Sequence, residues 1–208
     1  MTFALALLAA YLLGGVPFGL VLVRLLRGVD IRTLGSGNVG ATNASRAFGR
    51  ARVPMFLLFY VLDFAKGYVP ARWFPAFGLG AVEGGLGQAV ALGAAAVLGH
   101  CFSPFLRFRG GKGVATTTGV FAAIEPLALA IALVVFFAVL GLTRRVFFGS
   151  LAIGITLALV VILREPGTAF GARWPATALA IAVAAFLIWT HRSNLAKWRS
   201  AARGGLAA

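Results

Sequence analysis

Residues 35–46 read GSGNVGATNASR, a combination suited to holding an anion. Gly35, Gly37 and Gly40 can take positive φ and let a ligand approach the backbone, so that peptide N–H groups face it. Ser36, Asn38, Thr42 and Asn43 add short polar side chains, and Arg46 adds a rigid cationic fork that matches phosphate. A plain linker between two spans would also be rich in glycine, but it would not need the Asn, Thr and Arg. Gly35 to Gly40 also fits G-x-G-x-x-G. The dinucleotide reading needs a strand before that motif and a βαβ helix after it, whereas both neighbours here are apolar spans.

A second cluster, Gly110-Gly111-Lys112-Gly113, sets a lysine among glycines where a helix is expected to begin, and free N–H groups at such a start favour an anion. It is not a P-loop, because Leu106 stands where the first glycine is required and Gly113 where a magnesium-holding Ser or Thr is required. His191 and Asn194 lie one helical turn apart and can orient a phosphate or a hydroxyl, or the histidine can simply sit at an interface. Asp63 and Lys66 are three residues apart on one helix face, inside an apolar span. Charge in a span is costly, so the pair either serves a site or is a self-neutralising structural pair; both readings stand.

The elements that must carry these residues are membrane spans. The 208 residues are 61% hydrophobic and 12% charged, with only five acidic residues, whereas soluble domains are about a quarter charged. The fold class is therefore an all-α integral membrane protein, read as a single polytopic domain over residues 1–208. The net charge of +14 is divided among loops between spans, not gathered in one stripe, which argues against a nucleic-acid partner. Cys101 is the one cysteine, so no intrachain disulfide or Cys-clustered metal site is expected. Two histidines and five carboxylates have no metal-ligand spacing, so neither metal nor cofactor is expected. The first apolar run starts at Phe3 without a basic stretch before it, which argues against a cleaved signal peptide.

Apolar runs at 3–23, 53–71, 84–106, 146–163 and 174–190 are each near the ~20 residues that cross roughly 30 Å of hydrocarbon. The stretch 113–143 is ambiguous, being either one long crossing or two short helices folded as a hairpin at Glu125-Pro126. A hairpin puts all 19 basic residues except Lys66, Arg72, Arg164 and Arg173 on one side, so the positive-inside rule favours it. The expectation is about seven helical segments, two of them short, with the N-terminus outside and the C-terminus cytoplasmic. The polar stretches then all open to the cytoplasm.

Four motifs, in order between these spans, resemble the acyl-phosphate-dependent glycerol-3-phosphate acyltransferase (PlsY) family. They are GSGNVGATN at 35–43 with Arg46 and Gly49, DFAKG at 63–67, Gly99-His100 leading into RGGKGVAT at 109–116, and His191-Arg-Ser-Asn194. The resemblance covers most of the chain. It implies transfer of a fatty acyl group from acyl phosphate to the 1-hydroxyl of sn-glycerol 3-phosphate, giving lysophosphatidic acid and phosphate in the first acylation step of phospholipid synthesis. It also implies a bacterial inner membrane protein with a cytoplasmic active site, membrane lipid around it, and the peripheral enzyme that makes acyl phosphate as a partner. The catalytic residues implied are Ser36, Asn38, Lys112, His191 and Asn194. Substrate binding would fall to Gly35, Gly37, Gly40, Thr42, Asn43, Arg46, Asp63, Lys66, Gly110, Gly111, Gly113 and Ser150. Two stretches depart from the family. TRRVFFGS at 143–150 lacks the family's serine near Phe147, which leaves Ser150 as the phosphate contact, and the tail after Asn194 lacks an Arg-Leu and Glu pattern.

The residues agree with this chemistry. Two phosphate-bearing substrates need more than one basic, glycine-rich loop, and an acyl phosphate has a good leaving group, so no covalent intermediate is required. The competing class is a transporter of an organic phosphate, which would also have broken helices and anion-binding loops. Polar loops confined to one face, with no inverted repeat, weigh against it.

Overall fold

The computed structural model describes residues 2–76 and 85–204, with side chains described up to Ala201. Among these residues the secondary structure is helical, and the helices form two compact units, Met1–Pro126 and Leu127–Ala208.

The first unit begins with α1 (Phe3–Gly15) and α2 (Phe18–Arg27), which together form one membrane span. The sequence reads as continuous here, but Val16 and Pro17 interrupt the helix because proline has no N–H to continue the ladder. The carbonyls freed at the break have partners elsewhere in the chain. Ser103 Oγ donates to Gly15 O at 2.6 Å and Lys66 Nζ donates to Val16 O at 2.9 Å. A polar loop with a 3₁₀ turn at Ile31–Thr33 leads to the short α3 (Ala41–Ala44) and on to α4 (Arg52–Ala76). Leu20, Val23, Ile31, Val39, Ala41, Ala44 and Phe59 form the apolar cluster beneath that loop.

The remaining helices of this unit are α5 (Gly85–Cys101) and α6 (Val114–Ile124). Small residues bring backbones together, as expected where lipid supplies no hydrophobic drive between helices. A Cβ at Gly14 would strike the Ala96 backbone, one at Gly67 the Thr116 carbonyl, and one at Gly119 the Phe64 carbonyl. Hydroxyls add cross-links: Tyr11 Oη donates to Phe102 O at 2.6 Å, and Tyr60 Oη meets Thr118 Oγ1 at 2.8 Å. Leu5, Leu8, Val53, Leu57 and Val61 remain exposed on the spans, as lipid-facing residues should.

The second unit contains α7 (Pro126–Thr143), α8 (Val146–Arg164), the single turn α9 (Pro166–Ala169), α10 (Trp174–Thr190) and α11 (Arg192–Gly204). Gly154 lets α8 close on α10, since a Cβ there would lie 3.0 Å from Ala184 Cα. Glu165 sits between Arg164 Nη2 at 2.9 Å and Arg173 Nη1 at 2.8 Å. Those hydrogen bonds, Arg164's first, hold its carboxyl below the usual range. The chain bends by 49° between α10 and α11, at His191.

Among the described residues, five helical stretches are long and apolar enough to cross a membrane, a sixth if the bent α10–α11 pair counts, and α6 is a shorter apolar helix. That gives the seven segments expected. The arms of 113–143 are unequal, however. The break falls at Glu125, where φ is −145° and ψ 64°, leaving α6 with 11 residues and α7 with 18. Of the two arms only α6 is short, because the break at Glu125-Pro126 falls before the centre of the stretch.

Candidate active site

The first loop is locked by its own polar groups. The Asn43 side chain is buried, donates through Nδ2 to Ile31 O at 2.8 Å and Asn38 O at 2.9 Å, and accepts Ser36 N–H at 3.2 Å through Oδ1. Gly37 N–H goes to Leu34 O at 2.8 Å, Asn38 N–H to Ser36 Oγ at 3.4 Å and Gly40 N–H to Asn38 Oδ1 at 2.8 Å. Four amides that sequence reasoning aims at a ligand are therefore spent inside the loop. Asn43 acts as the loop's internal brace; removing it would strand the buried Ile31 carbonyl at a cost of about 1–3 kcal/mol.

Gly35 and Gly37 take φ of 50° and 70°, as expected, but Gly40 has an ordinary φ of −78° and serves as the N-cap of α3. A Cβ at Gly35 would collide with the Arg46 guanidinium, so the glycine makes room for the arginine as well as for the turn. The groups turned outward are side chains: Ser36 and Arg46 are exposed and Asn38 and Thr42 half-buried. At the foot of the loop Asp30 accepts Arg32 N–H and the Arg32 side chain. These contacts hold its carboxyl down at about 2, so it stays ionised.

The second loop is pinned to the end of α5. Gly110 N–H donates to Cys101 O and Gly111 N–H to His100 O, both at 3.0 Å. Gly113, at φ 82°, is the N-cap of α6 and gives the helix no side-chain cap, so the first-turn N–H groups begin directly after the half-buried Lys112. Leu106, just upstream, packs against the cluster beneath the first loop. The turn that leads into the second loop thus rests on the same apolar cluster as the first loop.

Asp63 and Lys66 are buried and pair at 2.9 Å. His100, which sequence reasoning noted only as a neighbour of the second loop, belongs with them: its Nδ1 is 3.7 Å from Asp63 Oδ1. A titratable residue inside a span, ten residues before Gly-Gly-Lys, was the available signal.

In the second unit, His191 is buried at the α10–α11 bend and Asn194 lies in the first turn of α11. His191 Nδ1 is 2.9 Å from Leu187 O. A carbonyl can only accept, so Nδ1 carries the proton and Nε2 is the acceptor edge of the neutral ring. Ser150 is buried on α8 and donates to Val146 O at 3.1 Å, a bond within its own helix. Among the described residues, no group of three or more His, Cys, Asp or Glu could hold a metal.

A family profile described as glycerol-3-phosphate acyltransferase matches residues 4–201. The chain is 42% identical to glycerol-3-phosphate acyltransferase 1 of Deinococcus radiodurans, over 95% of this chain and 92% of that protein. It is 43% identical to the glycerol-3-phosphate acyltransferase of Aromatoleum aromaticum, over 95% and 93%. Its fold is similar to the crystal structure of PlsY, an integral membrane glycerol 3-phosphate acyltransferase, in the glycerol 3-phosphate form. That match has a TM-score of 0.82 and 34% identity, over 96% of this chain and 92% of that one. The lysophosphatidic acid form of the same enzyme matches with a TM-score of 0.80.

Proposed function

This chain belongs to the glycerol-3-phosphate acyltransferase (PlsY) family of integral membrane enzymes, and on that premise we propose that it takes its acyl group from an acyl phosphate. The 1-hydroxyl of sn-glycerol 3-phosphate attacks the carbonyl carbon, the acyl C–O bond to phosphate breaks, and lysophosphatidic acid and inorganic phosphate are formed. The hydroxyl proton passes to a phosphate oxygen. The observation that carries this reading is that the loop presenting Ser36 and Arg46 and the turn leading into the Lys112 loop rest on one apolar cluster. Two cationic loops suit a reaction with two phosphate-bearing substrates, and holding both in attack geometry supplies much of the rate. Asn38, His191 and Asn194 serve to orient the glycerol hydroxyls, and Thr42 and Ser150 serve phosphate binding.

Incubation of the purified protein with acyl phosphate and glycerol 3-phosphate yields lysophosphatidate and phosphate. An acyl thioester in place of acyl phosphate yields none; acylation from the thioester alone would overturn the donor assignment. Passage of glycerol 3-phosphate into sealed vesicles without acylation would favour the transporter. Full activity is expected in excess chelator, since the described residues offer no ligand set. Complete loss restored by one specific metal would contradict this.

The protein is placed in the bacterial inner membrane with its N-terminus outside and its basic loops in the cytoplasm, where the enzyme that makes acyl phosphate can deliver it. In a Cys101→Ser background, Arg144→Cys and Trp198→Cys should both react only with reagent on the cytoplasmic side. Labelling of position 144 from outside would mean that 113–143 crosses once.

A further inference from the structure

A set of buried charges is packed against the backbone that carries the Lys112 loop. Asp63 and Lys66 are 4% and 3% exposed and share a 2.9 Å ion pair. Taking two charges out of water costs several kcal/mol, and apolar residues of similar volume often serve stability as well or better. The pair connects two irregular pieces of backbone. On one side Lys66 Nζ holds Val16 O, the carbonyl released at the break between α1 and α2. On the other side Asp63 Oδ1 faces His100 Nδ1 at 3.7 Å, and that ring nitrogen is buried without a hydrogen-bond partner. The opposite edge of the same ring backs onto the loop, since a Cβ at Gly111 would collide with His100 Nε2. The His100 and Cys101 carbonyls accept the Gly111 and Gly110 N–H groups, so the backbone beside the ring holds the loop as well.

We infer that Asp63, Lys66 and His100 are positioning residues that fix the Gly110–Gly113 loop and thereby set where Lys112 holds its phosphate, without themselves touching substrate. This rests on the reading of Lys112 given above. The cation and anion fix each other, Lys66 anchors them to the helix break, and Asp63 limits the tilt of the imidazole against which Gly111 is laid. Replacing the ion pair by apolar residues removes this restraint but leaves the helix packing.

The test uses the full-length Asp63→Leu/Lys66→Met protein, with thermal midpoint, hydrogen exchange at residues 110–113, and steady-state kinetics as readouts. The expected result is a thermal midpoint near that of the unaltered protein, faster exchange at Gly110 and Gly111, and turnover reduced by about 10-fold or more. Combining the pair with Lys112→Ala should give no further loss, because the network acts through that lysine. A stable variant with unchanged loop exchange and rate overturns the inference, and so does a loss that multiplies with that of Lys112→Ala. Should the double variant fail to insert, His100→Asn decides by the same readouts: faster loop exchange and a lower rate support the device, unchanged values reject it. If the unaltered protein does not acylate glycerol 3-phosphate, it is the function that fails, and loop exchange in the variants still decides the positioning claim.

Discussion

Lys112→Ala lowers turnover by about 10²–10³-fold, the cost of removing one preorganised charge-stabilising donor, while membrane insertion is unchanged. Lys112 is half-buried, stands one residue before the N-cap of α6, and sits in a loop pinned at Gly110 and Gly111. Its ammonium and the helix N-terminus act in the same direction on an anion, so the substitution removes charge from the site but no apolar packing from the span. The readouts are kcat together with recovery of the protein from the membrane. Near-normal turnover in a correctly inserted variant would reduce Lys112 to a positive-inside anchor.

His191 and Asn194 give the second large effect. Because Nδ1 donates to Leu187 O, the neutral ring has Nε2 as its acceptor, which can receive a glycerol hydroxyl proton in a hydrogen bond. This is a positioning contact, since acyl phosphate brings both a leaving group and an oxygen able to take the proton. His191→Asn then keeps part of the rate, His191→Ala keeps less, and Asn194→Ala raises KM for glycerol 3-phosphate more than that for acyl phosphate. An obligatory base behaves differently: activity falls on the acid side as imidazole is protonated, and that limb disappears in His191→Asn. Loss of the limb would make His191 the base, and a change in stability alone would make it structural.

The helices were legible in the sequence because apolar length and basic loops are one-dimensional signals. The break at Glu125-Pro126 could be read for the same reason, although its position off the centre of 113–143 left only α6 short. The interruption at Val16-Pro17 was not read, since a single proline in an uncharged run is tolerated when other groups take up the released carbonyls. Those groups, Lys66 and Ser103, come from distant spans. The chemistry of the first loop was legible as residue types, but its division of labour was not. Which amides face outward depends on Asn43 reaching Ile31 and Asn38, a contact no local pattern encodes. Asp63 and Lys66 were correctly paired by helical spacing, whereas the third member, His100, is brought to them only by tertiary packing.

The most direct test of the central claim is the product balance of the purified protein supplied with acyl phosphate and glycerol 3-phosphate. Lysophosphatidate and inorganic phosphate are expected to appear together in equal amounts from the first turnovers, and neither forms when glycerol 3-phosphate is left out. A burst of phosphate without glycerol 3-phosphate, or phosphate released without lysophosphatidate, would contradict direct transfer between two positioned substrates.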